Sequence, residues 1–388
     1  MNTMSLNGRD GSGKSQQLRL LKWQNENRIH VTKPLISYSP RWPQLRGHAM
    51  SQWWFERVPV EELIEIIIES LNRRHRDRVS GKISMHDRGW HMFKAVCAAT
   101  MLTRDEAVTL DEAVKTVDEQ FAAELDHIPD EVAVLLEPDS DYFSKIDNLI
   151  KLVHPEEDAD FPENSKIRYR RYQENLVTTM NVYFSAAHTH RIKVCGPIID
   201  IQNRLRTLVS ELGRLALPHI GGGIALAVGF GGLSECGKSS FADHIRHDHG
   251  FLRLKLRYFI EIIEGRGEKR TPESVALELL RFLDCHHYVQ LVSFESLHDP
   301  HIPAMLKLML GDRCKIAYIE ASKDIRVSRG ARELGVALDE ATRIIDKKDR
   351  VKSERGAETV REFADIVFDN SANNHEQNLQ AFANLLKT

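Results

Sequence analysis

The sequence predicts an α/β protein made of two three-layer α/β/α domains, each with a parallel sheet between helices. Apolar, strand-like runs alternate with long helical patterns such as residues 60–72 and 107–125, which is typical of βαβ units and parallel sheets. A glycine-rich loop of the form G-x-x-x-x-G-K-[ST] occurs twice, at residues 8–15 and 232–239. The chain has 388 residues, more than a single hydrophobic core normally supports.

The first loop follows the short apolar run Met4–Asn7 and leads into residues 15–21, which have helical spacing. In such a loop, glycines let backbone N–H groups surround a phosphate, the lysine reaches phosphate oxygens and the serine hydroxyl binds magnesium. The context of strand, loop and helix therefore predicts a site for ATP and Mg²⁺. Its candidate binding residues are Gly8, Asp10, Gly11, Ser12, Gly13, Lys14, Ser15 and Gln16.

The second loop follows residues 224–230, an almost continuous apolar run that suits a strand buried on both faces. We assign Lys238 to phosphate and Ser239 to Mg²⁺, as in the first loop. The alternative is a tight turn without function, since Gly229 and Gly231 lie beside the loop. The candidate binding residues are Gly232, Ser234, Glu235, Cys236, Gly237, Lys238, Ser239 and Ser240.

A domain boundary is predicted at residues 218–223, where a proline precedes a run of three glycines. This linker separates a first domain of residues 1–217 from a second of residues 224–388. The alternative is a long loop within one large sheet.

Composition limits the partners and the setting. The net charge of −3 and the pI near 6.7 argue against general nucleic-acid binding. The five cysteines are scattered without metal spacing, which is typical of a reducing, cytosolic protein. No apolar stretch reaches the length of a membrane span, and the first loop starts too early to leave room for a signal peptide. We therefore expect a cytoplasmic protein with no membrane or nucleic-acid partner.

The first half contains two motifs, the loop residues 10–17 and the strand-like Ile83–Arg88, which ends in Asp-Arg. They resemble the loop and the second signature of thymidylate kinases, and the resemblance covers roughly residues 3–215. The resemblance implies that Asp87 lies beside Mg²⁺ and the attacking phosphate, and that Arg88 holds a nucleoside monophosphate. It also implies a helix at residues 143–149 before a lid, and a homodimer. The candidate lid residues are Arg168, Arg170 and Arg171, for which the alternative is a solvated helix face.

In the second half the loop is followed by residues 241–245 and by a Gly-Phe turn at 250–251. This pattern resembles dephospho-coenzyme A kinases and related nucleoside monophosphate kinases, and the resemblance covers about residues 224–388. It implies a strand at residues 315–321, a lid helix that carries Arg326 and Arg329, and a last strand at 363–371. Where relatives carry an acidic turn, Glu295 takes the place of the catalytic, Mg²⁺-binding acid.

Three groups of residues have two interpretations each. Near the expected acceptor side, aromatic residues either stack on a base or form an amphipathic core helix: Trp42, Trp53, Trp54 and Phe55. In the second half, basic residues either contact a substrate phosphate or form a charged helix flank: Lys255, Arg257, Arg266 and Arg270. His286, His287 and His298 suggest a metal but lack ligand spacing.

These features predict ATP- and Mg²⁺-dependent phosphoryl transfer to a nucleoside or nucleoside monophosphate, with two consecutive phosphorylations by a fused bifunctional kinase. The expected catalytic residues are Lys14, Asp87, Arg88, Lys238 and Glu295. One alternative is a single active kinase domain beside a nucleotide-binding regulatory or degenerate domain. Others are an ATP-dependent switch or scaffold, and a kinase with a non-nucleotide acceptor.

Overall fold

The computed structural model describes residues 3–125, 130–139, 162–185, 189–221, 223–362, 364–371 and 375–386. The chain divides into two compact units, and the main boundary between them falls between Pro218 and His219. The predicted helix at residues 143–149 lies outside the described residues. None of the described helices is both long and apolar enough to span a membrane.

The described part of the first unit contains a sheet of five parallel strands in the order β2-β3-β1-β4-β5. The strands are β1 (Thr3–Asn7), β2 (Ile29–Val31), β3 (Ile83–Asp87), β4 (Val132–Pro138) and β5 (Thr189–Val194). In the register of the central strand β1, Leu6 pairs with Asp87 on one side and with Val134 on the other. The first loop and the end of β3 therefore emerge at the same edge of the sheet, where open α/β sheets bind ligands.

Helices cover both faces of this sheet. They are α1 (Lys14–Lys22), α2 (Gly47–Gln52), α3 (Val60–His75), α4 (Trp90–Arg104), α5 (Leu110–Glu124), α6 (Glu163–Ser185) and α7 (Ile198–Gly213). One buried cluster joins the sheet to α1 and α7 through residues such as Leu18 and Leu205. Another joins it to α3, α4 and α6 through residues such as Ile67, Ala98 and Leu176. The predicted helices at 60–72 and 107–125 are confirmed as α3 and α5.

The second unit repeats this topology. Its strands are β6 (Leu226–Gly231), β7 (Leu252–Lys255), β8 (Leu291–Leu297), β9 (Cys314–Glu320) and β10 (Ile366–Asp369). They pair in parallel in the order β7-β8-β6-β9-β10. With strands numbered from the start of each unit, both sheets have the order 2-3-1-4-5 among the described residues.

The helices of the second unit flank this sheet as predicted. They are α8 (Lys238–His249), α9 (Leu256–Gly265), α10 (Pro272–Cys285), α11 (His301–Leu310), α12 (Lys323–Leu334), α13 (Leu338–Glu354), α14 (Ala357–Glu362) and α15 (His375–Leu385). On one face, three buried phenylalanines join the central strand to α8 and α15. The ring of Phe382 lies 4.8 Å from that of Phe241 and 5.6 Å from that of Phe230, measured between centroids.

Candidate active sites

The two loops have the same backbone conformation. In each, the first, fourth and sixth residues have a positive φ, and the helix begins directly after the last of them. The angles are 142° at Gly8, 78° at Gly11, 80° at Gly13, 127° at Gly232, 57° at Glu235 and 102° at Gly237. Each loop thus leads directly into a helix N-terminus, whose first N–H groups have no partner within the helix and suit an anion.

Close packing against a neighbouring strand explains the first glycine of each loop. A Cβ atom at Gly8 would lie 2.8 Å from the carbonyl oxygen of Leu136 on β4. A Cβ atom at Gly232 would lie only 2.3 Å from that of Ile319 on β9. Backbone carbonyls cannot move aside as a flexible side chain does, so only glycine fits at these two positions.

Each loop lysine folds over its own loop. Lys14 Nζ donates hydrogen bonds of 2.8 Å to the carbonyl oxygens of Gly8 and Arg9. Lys238 Nζ donates in the same way to Gly232 at 2.8 Å and to Leu233. Burial and then the nearby Arg88 lower the pKa of Lys14 to about 8. Each ammonium group is therefore held beside the space that the loop surrounds.

Each loop serine lies beside a carboxylate of the neighbouring strand: Asp87 is the last residue of β3, and Glu295 lies two residues before the end of β8. Ser15 Oγ donates to Asp87 Oδ2 at 2.9 Å, and Ser239 Oγ donates to Glu295 Oε2 at 3.1 Å. The other carboxylate oxygen of Asp87 is buried and has no hydrogen-bond partner in the described part of the chain. Hydroxyl and carboxylate oxygens are the ligands that Mg²⁺ prefers, so the donor set at Ser15 and Asp87 fits this ion.

Arg88 follows Asp87 in a left-handed conformation, with φ of 64°. A buried arginine on α3, Arg74, holds this turn by donating to the carbonyl oxygens of Arg88 at 2.9 Å and Asp87 at 3.4 Å. The Arg88 guanidinium forms an ion pair with Asp10 of the loop. Burial alone would lower the pKa of Arg88, but the carboxylates of Asp10 and Asp87 raise it above its ordinary value. Arg88 is therefore a fixed cation beside Lys14.

Helix α6 reaches the first loop through two residues that the sequence analysis did not select. Tyr169 Oη donates to Asp10 Oδ2 at 2.9 Å, and Gln173 Nε2 donates to the same oxygen at 3.1 Å. Burial would raise the pKa of Asp10, but Arg88, Lys14 and these two donors lower it overall. Their i, i+4 spacing puts both donors on one helix face, but this spacing alone does not show which face of α6 meets the loop.

The candidate lid arginines point elsewhere. Arg168 forms an ion pair with Glu56, and Arg171 forms one with Glu106. Arg170 is exposed. The contacts of Arg168 and Arg171 hold α6 to neighbouring segments and do not bring their guanidinium groups to the loop.

The second site differs in the surroundings of its acid. The residue after Glu295 is Ser296, which has the left-handed backbone of Arg88, with φ of 71°, but no cationic side chain. The Glu295 carboxylate instead forms an ion pair with Arg253 on β7, which also pairs with Asp243 on α8. The Glu295 side chain is 6% exposed, so this contact is largely removed from water.

A cavity of about 990 Å³ opens above the second loop. Lys238, Arg329, Lys348 and Lys352 line it, together with Glu295 and His298. Burial first, and then Lys352 and Lys238, lower the pKa of His298 to about 3, so its imidazole is neutral at physiological pH. The cavity is rich in cations, as a site for a phosphate chain requires.

The two candidate lid arginines of the second unit lie close to the loop. Arg329 donates to the carbonyl oxygens of Asn370 at 2.8 Å and Cys236 at 3.5 Å, and it lines the cavity. Arg326 is buried, donates to the carbonyl oxygen of Ser234 at 3.2 Å and forms an ion pair with Asp349. Arg326 thus holds the loop in place and is already neutralised.

The aromatic residues of the first half pack into the core. Trp42 is 5% exposed and donates from its indole N–H to Ser70 at 2.9 Å. Trp54 donates to Thr100 at 3.1 Å, while Phe55 packs edge-on against Tyr172. These contacts, and the packing of Trp53 against the same cluster, favour the core interpretation over stacking on a base.

The basic residues of α9 and its surroundings pair locally. Arg257 pairs with Glu261 one turn away, and Arg266 pairs with Glu278. Arg270 lies 3.9 Å from Asp299, and Lys255 is exposed at the end of β7. These contacts favour a charged helix flank over contacts with a substrate phosphate.

Within the described ranges, no three His, Cys, Asp or Glu side chains form a metal-binding group.

No protein-family model matches the sequence, and no curated protein matches it either. Several solved structures are similar to parts of the chain. Thymidylate kinase from Candida albicans is 14% identical, with a TM-score of 0.38, over 55% of this chain and 92% of that one. Shikimate kinase from Bacteroides thetaiotaomicron is 16% identical, with a TM-score of 0.30, over 42% and 99%. An uncharacterized protein from Eubacterium ventriosum is 12% identical, with a TM-score of 0.33, over 42% and 98%.

The fold follows from the chain's own features. Both units have a parallel sheet of the same strand order, a glycine-rich loop after the central strand and a carboxylate at or near the end of the adjacent strand. Each of the two units therefore has a three-layer α/β/α fold of the P-loop type.

Proposed function

We propose that the protein is an ATP- and Mg²⁺-dependent phosphotransferase that acts on a nucleoside or nucleotide. The observation that carries the proposal is the repeated triad of loop lysine, loop serine and strand-end carboxylate, seen at Lys14, Ser15 and Asp87 in the first unit. Phosphoryl transfer needs little covalent chemistry from a protein. It needs positioning and positive charge around the transferring group, and this arrangement supplies both.

In the first unit, the loop N–H groups and Lys14 hold the phosphates of ATP. Ser15 and Asp87 would hold Mg²⁺, which neutralises phosphate charge when bound. Arg88 is the acceptor ligand in this proposal, because a guanidinium fork binds two oxygens of a phosphate at once. Because Arg88 directly follows Asp87, an acceptor phosphate bound by it would lie beside the carboxylate that would hold Mg²⁺.

In the second unit, Lys238, Ser239 and Glu295 would take the corresponding roles in a second transfer. Two observations favour a second candidate function for this unit, namely nucleotide binding for regulation. Glu295 is paired with Arg253, and Ser296 stands where the first unit has its acceptor-binding arginine.

The test is phosphate transfer from ATP and Mg²⁺ to a panel of nucleosides and nucleoside monophosphates. It compares the wild type with the Lys14→Ala and Lys238→Ala variants. We expect each variant to lose one distinct product. If Lys14→Ala lost every product while Lys238→Ala lost none, the second unit would be assigned to regulation. ATP binding without transfer to any acceptor would overturn the kinase proposal in favour of a switch.

A further inference from the structure

Helix α13 lies along the second loop and contacts it through residues one turn apart. Asp349 accepts a hydrogen bond of 2.8 Å from the backbone N–H of Ser234. Lys352 Nζ donates to the hydroxyl of Ser234, also at 2.8 Å. Lys348 Nζ lies 3.4 Å from Glu235. Because Asp349 is also paired with Arg326, α13 is fixed against the loop before any ligand enters.

Lys352 differs from Lys348 and Arg326, two other cations near this loop, in having no ion-pair partner among the described residues. Lys348 is paired with Glu235 and Arg326 with Asp349, whereas in the described chain Lys352 forms no ion pair and contacts a neutral hydroxyl. Burial and then repulsion from Lys238 lower the pKa of Lys352 to about 8. The titratable groups around it are Lys238, Asp349, Cys236, Glu235 and His298. Two ammonium groups thus share a cavity, an arrangement that a bound anion relieves.

The first loop shows the opposite charge pattern at the same position. Its third residue is Asp10, an anion that accepts from the uncharged donors Tyr169 and Gln173 and forms an ion pair with Arg88. The third residue of the second loop is Ser234, whose neutral hydroxyl accepts from Lys352. At this loop position the first site therefore has an anion, whereas the second site has a hydroxyl in contact with a cation that forms no ion pair within the described residues.

We propose that Lys352 is a phosphate ligand of the second unit. In the nucleotide complex its ammonium group leaves the Ser234 hydroxyl and contacts an oxygen of the phosphate chain, beside Lys238. Only the side chain has to move, since Asp349 and Arg326 hold the helix. The inference rests on the proposed function in one respect, namely that the second loop binds a nucleotide.

The experiment measures binding of ATP and Mg²⁺ by calorimetry in the full chain that carries Lys14→Ala. This background removes binding by the first loop and also removes Lys14, whose pKa is likewise about 8. A charge-assisted hydrogen bond contributes about tenfold to a hundredfold in affinity. We expect a loss of this size in Lys352→Ala and near-normal affinity in Lys352→Arg. Lys347→Ala, which removes an exposed charge from the same helix, is the matched control and should bind normally.

Proton uptake separates a phosphate contact from a purely structural role. A phosphate beside Lys352 raises its pKa, so binding near pH 8 takes up protons, which titrations in buffers of different ionisation enthalpy detect. Lys352→Arg should bind without this uptake, because arginine stays charged. Normal affinity of Lys352→Ala, or unchanged uptake in Lys352→Arg, would overturn the inference and leave the proposed function intact. Absence of ATP binding in the Lys14→Ala background itself would overturn both for this unit.

Discussion

Arg88 and Ser296 hold the same position in their respective units. Each directly follows the carboxylate at or near the end of the strand beside the loop, and each has a left-handed backbone, with φ of 64° and 71°. That conformation costs a residue other than glycine about 1–2 kcal/mol. Arg74 holds the turn at Arg88, whereas Ser296 lies inside β8 at a break in the register with β6. The side chain presented there, guanidinium or hydroxyl, distinguishes the two sites.

Removal of the Arg88 guanidinium should impair transfer more than ATP binding. In Arg88→Ala we expect the rate of phosphoryl transfer by the first unit to fall roughly a hundredfold or more, with a raised KM for the acceptor. Arg88→Lys should recover part of the loss, because it restores the charge without the planar fork. Steady-state kinetics check both variants. Ser296→Ala is the matched change in the second unit, and a loss there as large as in Arg88→Ala would contradict the assignment.

Asp10 should make the free energy of unfolding depend on pH. Its ordinary pKa of 3.8 is lowered in the folded protein. The stabilisation is therefore fully present above that value and is lost as the pH falls through the lower, folded pKa. We expect Asp10→Asn to lower the free energy of unfolding by about 1–3 kcal/mol at neutral pH, with a smaller difference at acidic pH. Urea unfolding over a pH series measures this, and a difference that does not change with pH would contradict it.

Gly232 should tolerate no side chain. Its Cβ would lie 2.3 Å from the Ile319 carbonyl oxygen at a φ of 127°, so Gly232→Ala should cost about 3 kcal/mol or more and abolish nucleotide binding by the second unit. Gly250 also has a positive φ, of 74°, but nothing lies within 4 Å of a Cβ there. Gly250→Ala should cost only about 1 kcal/mol and leave binding unchanged. Chemical denaturation and calorimetry compare the two.

Arg253 should be essential for the stability of the second unit. Arg253→Met would leave Glu295, with its side chain 6% exposed, without its cation, and an unpaired buried charge costs about 3–5 kcal/mol. Arg257→Ala removes an exposed ion pair between residues one helical turn apart. This change should lower the free energy of unfolding by no more than about 0.5 kcal/mol. Equal effects of the two changes on the urea midpoint would show that the Arg253 pair contributes nothing beyond a surface contact.

Features that depend on local backbone chemistry could be read from the sequence. The glycine spacing of the two loops corresponds to left-handed angles at the same positions, apart from Glu235, which adopts such an angle without being glycine. The strand-end carboxylates Asp87 and Glu295 also lie where the sequence placed them, because parallel strands that flank a central strand end at one edge of the sheet.

The rotation of helices about their own axes could not be read in the same way. Successive helical residues point about 100° apart, so a choice between Arg168 and its neighbour Tyr169 requires knowledge of how α6 packs. In the structure Tyr169 meets Asp10, whereas Arg168 meets Glu56. The Arg253–Glu295 pair was missed for a related reason, since it joins two adjacent strands through a register that no local pattern specifies.

The shared strand order has a consequence for how the two halves can diverge. In both sheets the chain places its second and third strands on one side of the central strand and its fourth and fifth on the other. The loop thus begins where the direction of winding reverses, and the segments that surround it are connections after strand ends. Such connections accept insertions without disturbing the sheet. Evolution can therefore change what each half accepts while the machinery that holds phosphate stays the same.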